Sequence, residues 1–501
     1  MNDKLNSKKV HMTYKEYCPI SFDKAIDIDK DVNDFGACKL TYNFDYDTGS
    51  LIDSFGIEDL KTKTKNGSDL RDCLFPNDIY KYIYHKFVLK EGPREYWSLL
   101  IMVNNSNELY YYVLNRDDAT VKKINGITIQ NFVTSLDVVP INNDNYLMWH
   151  CREQTDFYLW EPMASTTGTV QNRDFAYASI CVYNNRTFAS TTIPDTNNIL
   201  YSEEYGSLNY FNNNKKVGCI KLDDLLGSPL RVMVFQDKLY VIREWGINRI
   251  TQSRDKVTYE HEIVETLNAN IFHNTIQDCG DRILFWTGSG LYQFDGNKCK
   301  KIKLGIEDKV DFTGRSNIRS GYVNDNYYVA VYMNFTDGEV AFGSQSATKP
   351  NVIIIYNIVT GKMTLVRGLT VMNFVPIIDS FNSLMAILYL DKSGPPRLGM
   401  VNTSGNIKDQ KLKKKWISKM HDFGDSQNYK FIKEMKFMCK SNITLMLYFD
   451  DKIRTIKITG KSTMQTVKIN QKAKLFGFGF ESLSGGNYIS DIKFVVGKYG
   501  N

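Results

Sequence analysis

Lysine in short runs is the most conspicuous chemistry of the chain: Lys61, Lys63 and Lys65, then Lys298, Lys300 and Lys301, then Lys411, Lys413, Lys414 and Lys415. Clustered ammonium groups neutralise phosphates without any base-reading motif beside them, so these ten residues are the candidate DNA-facing positions. Each run taken singly also reads as a solvated loop. Paired carboxylates are the second chemistry: Glu203-Glu204, Asp223-Asp224 and Asp144 lie near expected turns, where a glycosidase would need two acids across a sugar bond. Aspartate is common in turns for local hydrogen-bonding reasons, and that reading weighs against catalysis.

Other chemistries fail on spacing. The six histidines, His11, His85, His150, His261, His273 and His421, include no pair one helical turn apart, which argues against a His-based metal site. Gly288-Ser-Gly290 is too short to cradle a phosphate, and neither a P-loop nor a Gly-x-Ser-x-Gly elbow occurs. The nine cysteines are odd in number and scattered singly, so they are expected as small core hydrophobes rather than as disulfides or zinc ligands. The expectation is a protein that is not an enzyme and takes no cofactor.

The elements that position these residues are strands. Hydrophobic content of 43% and charged content of 24% are those of a soluble globular chain, and 13% aromatic residues favour pleated surfaces. The net charge of +6, from 62 basic and 56 acidic residues among 501, names no partner. The apolar stretches 352–356 and 384–390 are far shorter than a spanning helix, and no apolar leader follows the polar opening residues, so synthesis in the cytosol without a membrane anchor is expected.

Between residues 80 and 405 an alternating run, a tight Asn, Asp or Gly turn and an aromatic-rich run recur, which is the signature of a β-hairpin. The instances are 136–149, 178–189, 232–242, 275–286, 320–330 and 377–388, with 96–103 supplying weaker material for a seventh. Most are followed by a third strand, as at Phe157-Tyr-Leu-Trp160 and Val352-Ile-Ile-Ile-Tyr356, with room for a fourth. Four-stranded units cover their apolar faces by packing radially, so the pattern predicts an all-β chain with a β-propeller of six or seven blades. Two β-sandwiches are the competing arrangement. Residues 1–80 read as an N-terminal arm with leading strands, 81–408 as the propeller and 409–501 as a C-terminal β-sandwich. The arm is polar enough that it is expected to gain order only on assembly.

Three passages resemble the β-propeller proteins of bacteriophage tails, the group of nozzle, tubular protein B and packaged-DNA-stabilising hub proteins. They are Asp34-Phe-Gly-Ala-Cys38 running on to Leu60; Asn185-Arg-Thr-Phe188 with Asn198-Ile-Leu-Tyr-Ser202 and Gly206-Ser-Leu-Asn-Tyr210; and Trp416-Ile-Ser-Lys-Met-His-Asp-Phe-Gly424 followed by residues 429–437. The resemblance implies a structural virion protein of a tail or neck, made in a host bacterium. It implies a ring of identical copies that forms part of a DNA conduit or gate and touches neck, tail and portal-associated proteins and non-specific double-stranded DNA. A carbohydrate-binding or glycoside-processing propeller is the alternative, with blade-loop aromatics stacking on sugars. A propeller scaffold for protein partners is a third.

Overall fold

The computed structural model describes residues 12–20, 38–47, 49–59, 80–89, 96–114, 121–129, 132–141, 144–151, 156–162, 165–172, 176–193, 197–202, 218–254, 258–312, 318–333, 350–378, 383–390, 396–407 and 410–499. Among them there is no α-helix, and strands account for nearly all regular structure.

The hairpins form because the turns dictate them. At Asn184-Asn185, Gln236-Asp237 and Asn324-Asp325 both central residues have positive φ, between 47° and 60°. That is the type I′ geometry, whose twist matches the right-handed twist of paired strands. The flanking residues pair directly across each turn, Tyr183 with Arg186, Phe235 with Lys238 and Val323 with Asn326.

Seven antiparallel sheets follow one another along the chain. The first comprises Tyr80–Leu89, Tyr96–Asn104, Glu108–Val113 and Lys122–Thr128. The next four span residues 133–172, 176–221, 229–266 and 277–302, each a four-stranded meander. The sixth holds Arg319–Val323, Asn326–Met333, Val352–Asn357 and Met363–Arg367, with Val310–Asp311 added beside Asn326–Met333. In the seventh, Thr370–Ile378, Ser383–Leu390 and Pro396–Asn402 are completed by Gly56–Asp59 from the opposite end of the chain. Gly399 permits that closure, since a Cβ there would stand 2.2 Å from Ile57 Cγ2.

The sheets stand around a ring, a β-propeller arrangement. Apolar side chains fill each gap: Trp149 and Tyr111 between the first and second sheets, Phe188 and Val241 between the third and fourth, Tyr80 and Leu388 between the seventh and first, while Trp286 and Tyr327 between the fifth and sixth join the cluster of the C-terminal sheets. Burying each such side chain contributes roughly 1.5–3 kcal/mol. Side chains on the inner strands stitch neighbours together. Ser179 Oγ accepts the Val232 amide at 3.1 Å, Gln277 Nε2 donates to Ser320 Oγ at 3.0 Å, and Asn373 Nδ2 donates to the Ile83 carbonyl at 2.6 Å across the closing gap.

Two further sheets lie at the C-terminal end. One orders Phe44–Asp47, Ser50–Asp53, Tyr488–Tyr499, Lys430–Cys439 and Lys461–Ala473, with Met12–Ile20 also paired to Tyr488–Tyr499. The other orders Cys38–Tyr42, Lys414–Ser418, Phe476–Ser482, Ile443–Phe449 and Lys452–Ile458. Phe437, Phe478, Phe480, Phe494 and Trp416 pack between them. Asn43, at φ 60°, carries the chain from one sheet to the other. Its Nδ2 donates to the Arg367 and Lys413 carbonyls, both at 2.7 Å, and its Oδ1 accepts the Arg367 amide at 2.8 Å. The C-terminal sheets are thereby fixed to the outer strand of the sixth sheet.

The N-terminal arm is corrected here. Residues 12–20 and 38–53 are strands of the two C-terminal sheets, and 56–59 complete the seventh sheet. Their order comes from partners more than three hundred positions away in the same chain, so no second subunit is needed to supply it.

Candidate functional site

The lysine runs meet three different environments. Lys61, Lys63 and Lys65 lie outside the described residues. Lys298, Lys300 and Lys301 are exposed, at the outermost strand of the fifth sheet, Cys299–Ile302. Adjacent strand residues face opposite ways, so Lys300 and Lys301 do not share one face. Lys411 is exposed, whereas Lys413 and Lys415 stand 3.3 and 4.0 Å from the Glu481 carboxylate.

Lys414 is a correction: its side chain has 0% exposure and offers nothing to a phosphate. The alternation along Lys414–Ser418 turns Lys414, Trp416 and Ser418 inward together. Its Nζ donates to the carbonyls of Gly405 at 2.9 Å, Leu412 at 3.2 Å and Ser484 at 2.8 Å, and lies 3.6 Å from Asp53 Oδ1. Burial holds its ammonium below the ordinary lysine value, against the opposing pull of Asp53. Asp53 in turn accepts the Gly486 amide at 2.7 Å and Asn487 Nδ2 at 2.6 Å.

The carboxylate candidates do not assemble a catalytic pair among the described residues. Glu203 and Glu204 lie outside them, as does the side chain of Asp144. Asp224 is structural: it accepts from the fully buried Arg243 guanidinium, from Asn248 Nδ2 at 2.8 Å and from the Leu226 amide at 3.0 Å. Asp223 faces His261 at 3.6 Å. Five cysteines, Cys38, Cys151, Cys181, Cys279 and Cys439, are buried and unbridged; burial pushes the Cys38 thiol up to about 12. Cys219 is exposed, against the expectation for a core residue.

A stronger electrostatic feature was not visible as a run. Residues 409–501 carry 18 Lys and Arg against 8 Asp and Glu, a net +10, which leaves 44 against 48, a net −4, on the preceding 408 residues. Much of this excess sits on two consecutive strands that belong to different sheets. Lys452–Ile458 is the edge strand of the five-stranded sheet, and Lys461–Ala473 is the edge strand of the six-stranded sheet. Lys452, Arg454, Lys457, Lys461, Lys468, Lys472 and Lys474 are all exposed, and no Asp or Glu occurs from residue 452 to residue 480. Arg454 Nη1 donates to the Ile469 carbonyl at 3.3 Å, tying the two edges together. At one end the two strands border a cleft of about 660 Å³ lined by Tyr429, Asp450, Lys452, Lys472 and Lys474. There the Lys474 ammonium lies 5.4 Å from the Tyr429 ring centre, within cation–π range. Strand spacing scatters these cations through the sequence; counting missing acids would have found them.

No family model matches the chain, and no curated protein matches its sequence. Among solved structures it is similar to the β-propeller domain of Cps50 (Swd1) from Myceliophteria thermophila, with TM-score 0.39 and 10% identity over 65% of this chain and 96% of that one. A quinonprotein alcohol dehydrogenase-like protein from Bacteroides thetaiotaomicron gives TM-score 0.33 and 14% identity over 65% and 74%. A functionally unknown protein from Desulfotomaculum acetoxidans gives 0.35 and 9% over 63% and 90%. Likenesses this loose say nothing of ligand or partner.

Proposed function

We propose that this chain is a structural virion protein of a phage tail or neck, a seven-bladed propeller with a C-terminal β-sandwich. Identical copies join in a ring that forms part of a DNA conduit or gate. One observation carries the reading: strands within residues 12–20, 38–47 and 50–59 join both C-terminal sheets and the seventh propeller sheet, so the lobes are locked into one block. A part that must hold shape while packaged DNA presses through it needs such cross-bracing more than it needs a movable catalytic cleft. The division of charge, +10 on residues 409–501 against −4 on the rest, gives the block a polar orientation suited to a polyanion on one side and protein neighbours on the other.

The test is light scattering and negative-stain microscopy of the purified chain, alone and with a portal-type partner. A ring with a central opening is expected. A persistent monomer that binds oligosaccharides overturns the reading in favour of a carbohydrate-binding propeller.

A further inference from the structure

We infer that the cleft at the end of the C-terminal sheets away from the Lys414 junction binds an acidic saccharide, a sugar that carries a carboxylate; the inference goes beyond the ring reading and does not depend on it.

Three segments wall the cleft of about 660 Å³, within residues 426–429, 449–452 and 471–475. Phe476–Ser482 has Ser482 beside Lys414 at one end and follows Leu475 at the other, which sets the cleft about 20 Å along the strand from that junction. The walls are fastened to one another. Lys430, with 1% exposure, donates to the Asp425 carbonyl and, at 3.1 Å, to the Lys474 carbonyl, joining the first segment to the third. The Asp450 carboxylate accepts the amides of Lys474 at 3.1 Å and Leu475 at 2.8 Å, joining the second to the third. Asp425 Oδ1 accepts the Asn428 amide at 3.1 Å and shapes the turn that presents Tyr429. A cleft held in this way pays little ordering entropy when a ligand enters.

The volume is that of a small-molecule site, and the lining decides the ligand. Ser426, Gln471 and Asp451 offer donors and acceptors together, which a ring of hydroxyl groups requires. Tyr429 is 52% exposed and gives the C–H face of a sugar an aromatic surface. The Lys474 ammonium, 5.4 Å from the centre of that ring, is within reach of a carboxylate on a sugar packed against the open part of Tyr429. Around the cleft three lysines stand against two aspartates, a net charge of +1 that favours an anionic sugar over a neutral one. A nucleotide fits less well, because a base is held best between two flat surfaces. The other aromatic side chain of the lining, Phe449, is 6% exposed and offers no second plane.

The experiment is calorimetric titration of the full chain with tetragalacturonate, a hyaluronate tetrasaccharide, sialyllactose, neutral maltotetraose and ADP. At least one of the three acidic sugars is expected to bind more tightly than maltotetraose and ADP. Tyr429→Ala and Lys474→Gln should each weaken that binding about tenfold, the size of one ring contact or one charge-assisted hydrogen bond. Tyr429→Phe keeps the ring and should retain most of the affinity, and Lys298→Gln on the fifth sheet should change nothing. No binding of any acidic sugar, equal binding of maltotetraose or ADP, or an affinity indifferent to both Tyr429→Ala and Lys474→Gln would overturn the inference. The substituted residues are exposed, and a melting curve for each variant verifies folding. Particle mass is read in parallel: a ring that binds no acidic sugar defeats this inference alone, and a monomer whose sugar binding depends on Tyr429 defeats the ring reading alone.

Discussion

Lys414 and Asp53 stand 3.6 Å apart with side-chain exposures of 0% and 6%, joining the basic stretch after the propeller to the strand that precedes its closing segment. The pair sits where three parts of the chain meet, because Lys414 also holds the Gly405 and Ser484 carbonyls. Asp53→Asn strands a buried ammonium and is expected to destabilise the protein by about 3–5 kcal/mol. Asp53→Leu combined with Lys414→Met should recover part of that loss in a urea titration. Equal losses in the single and double variants would show that the pair itself contributes nothing.

The same lysine sets a pH dependence. Burial lowers its ammonium below the ordinary value of 10.5. Just beneath that value the unfolded chain holds the proton more tightly than the folded one, so the contribution of Lys414 to stability grows as pH rises through this window. Urea midpoints of the unsubstituted chain should therefore gain on those of Lys414→Met toward alkaline pH. A gap that narrows instead would contradict the sign.

Closure of the seventh sheet depends on a residue without a side chain. A Cβ at Gly399 would press on Ile57 and stand 2.9 Å from the Glu58 carbonyl. Gly399→Val is expected to cost about 1–3 kcal/mol through overpacking. Hydrogen exchange should rise in Pro396–Asn402 and in Tyr80–Leu89, which pack beside the closing gap. Unchanged exchange in both strands would mean that Gly56–Asp59 does not hold the ring shut.

Turn chemistry gives a local test. Asn185 is exposed with φ 59°, so its conformation rather than its packing is at stake. Asn185→Val should cost about 1–2 kcal/mol. Asn185→Gly should be nearly neutral, because glycine reaches this region without steric cost. Thermal melts of the two variants decide it, and equal losses would argue against the type I′ turn.

The hairpins were legible because turn residues and alternation act within a dozen positions. Asn324-Asp325 between Tyr322 and Tyr327 is enough to specify its own geometry. The short inner strand Gln277–Asp278 ends in a turn the sequence marks clearly with Gly280. The placement of residues 12–59 was not legible, since Ile57 pairs with Val401 and Ile52 with Tyr488, and nothing local to either announces the other. Lys414 was misplaced among the candidate cations for a related reason. Consecutive lysines in a strand point both ways, so the run at Lys413–Lys415 ends up divided between Glu481 and the interior.

The central claim is that copies of this chain close a ring, and native mass spectrometry across a range of protein concentrations addresses it most directly. The account predicts one dominant species at a fixed multiple of the 57.7 kDa chain, with a central opening in matched particle images. A single-copy mass at every concentration, persisting when a portal-type partner is added, would contradict it.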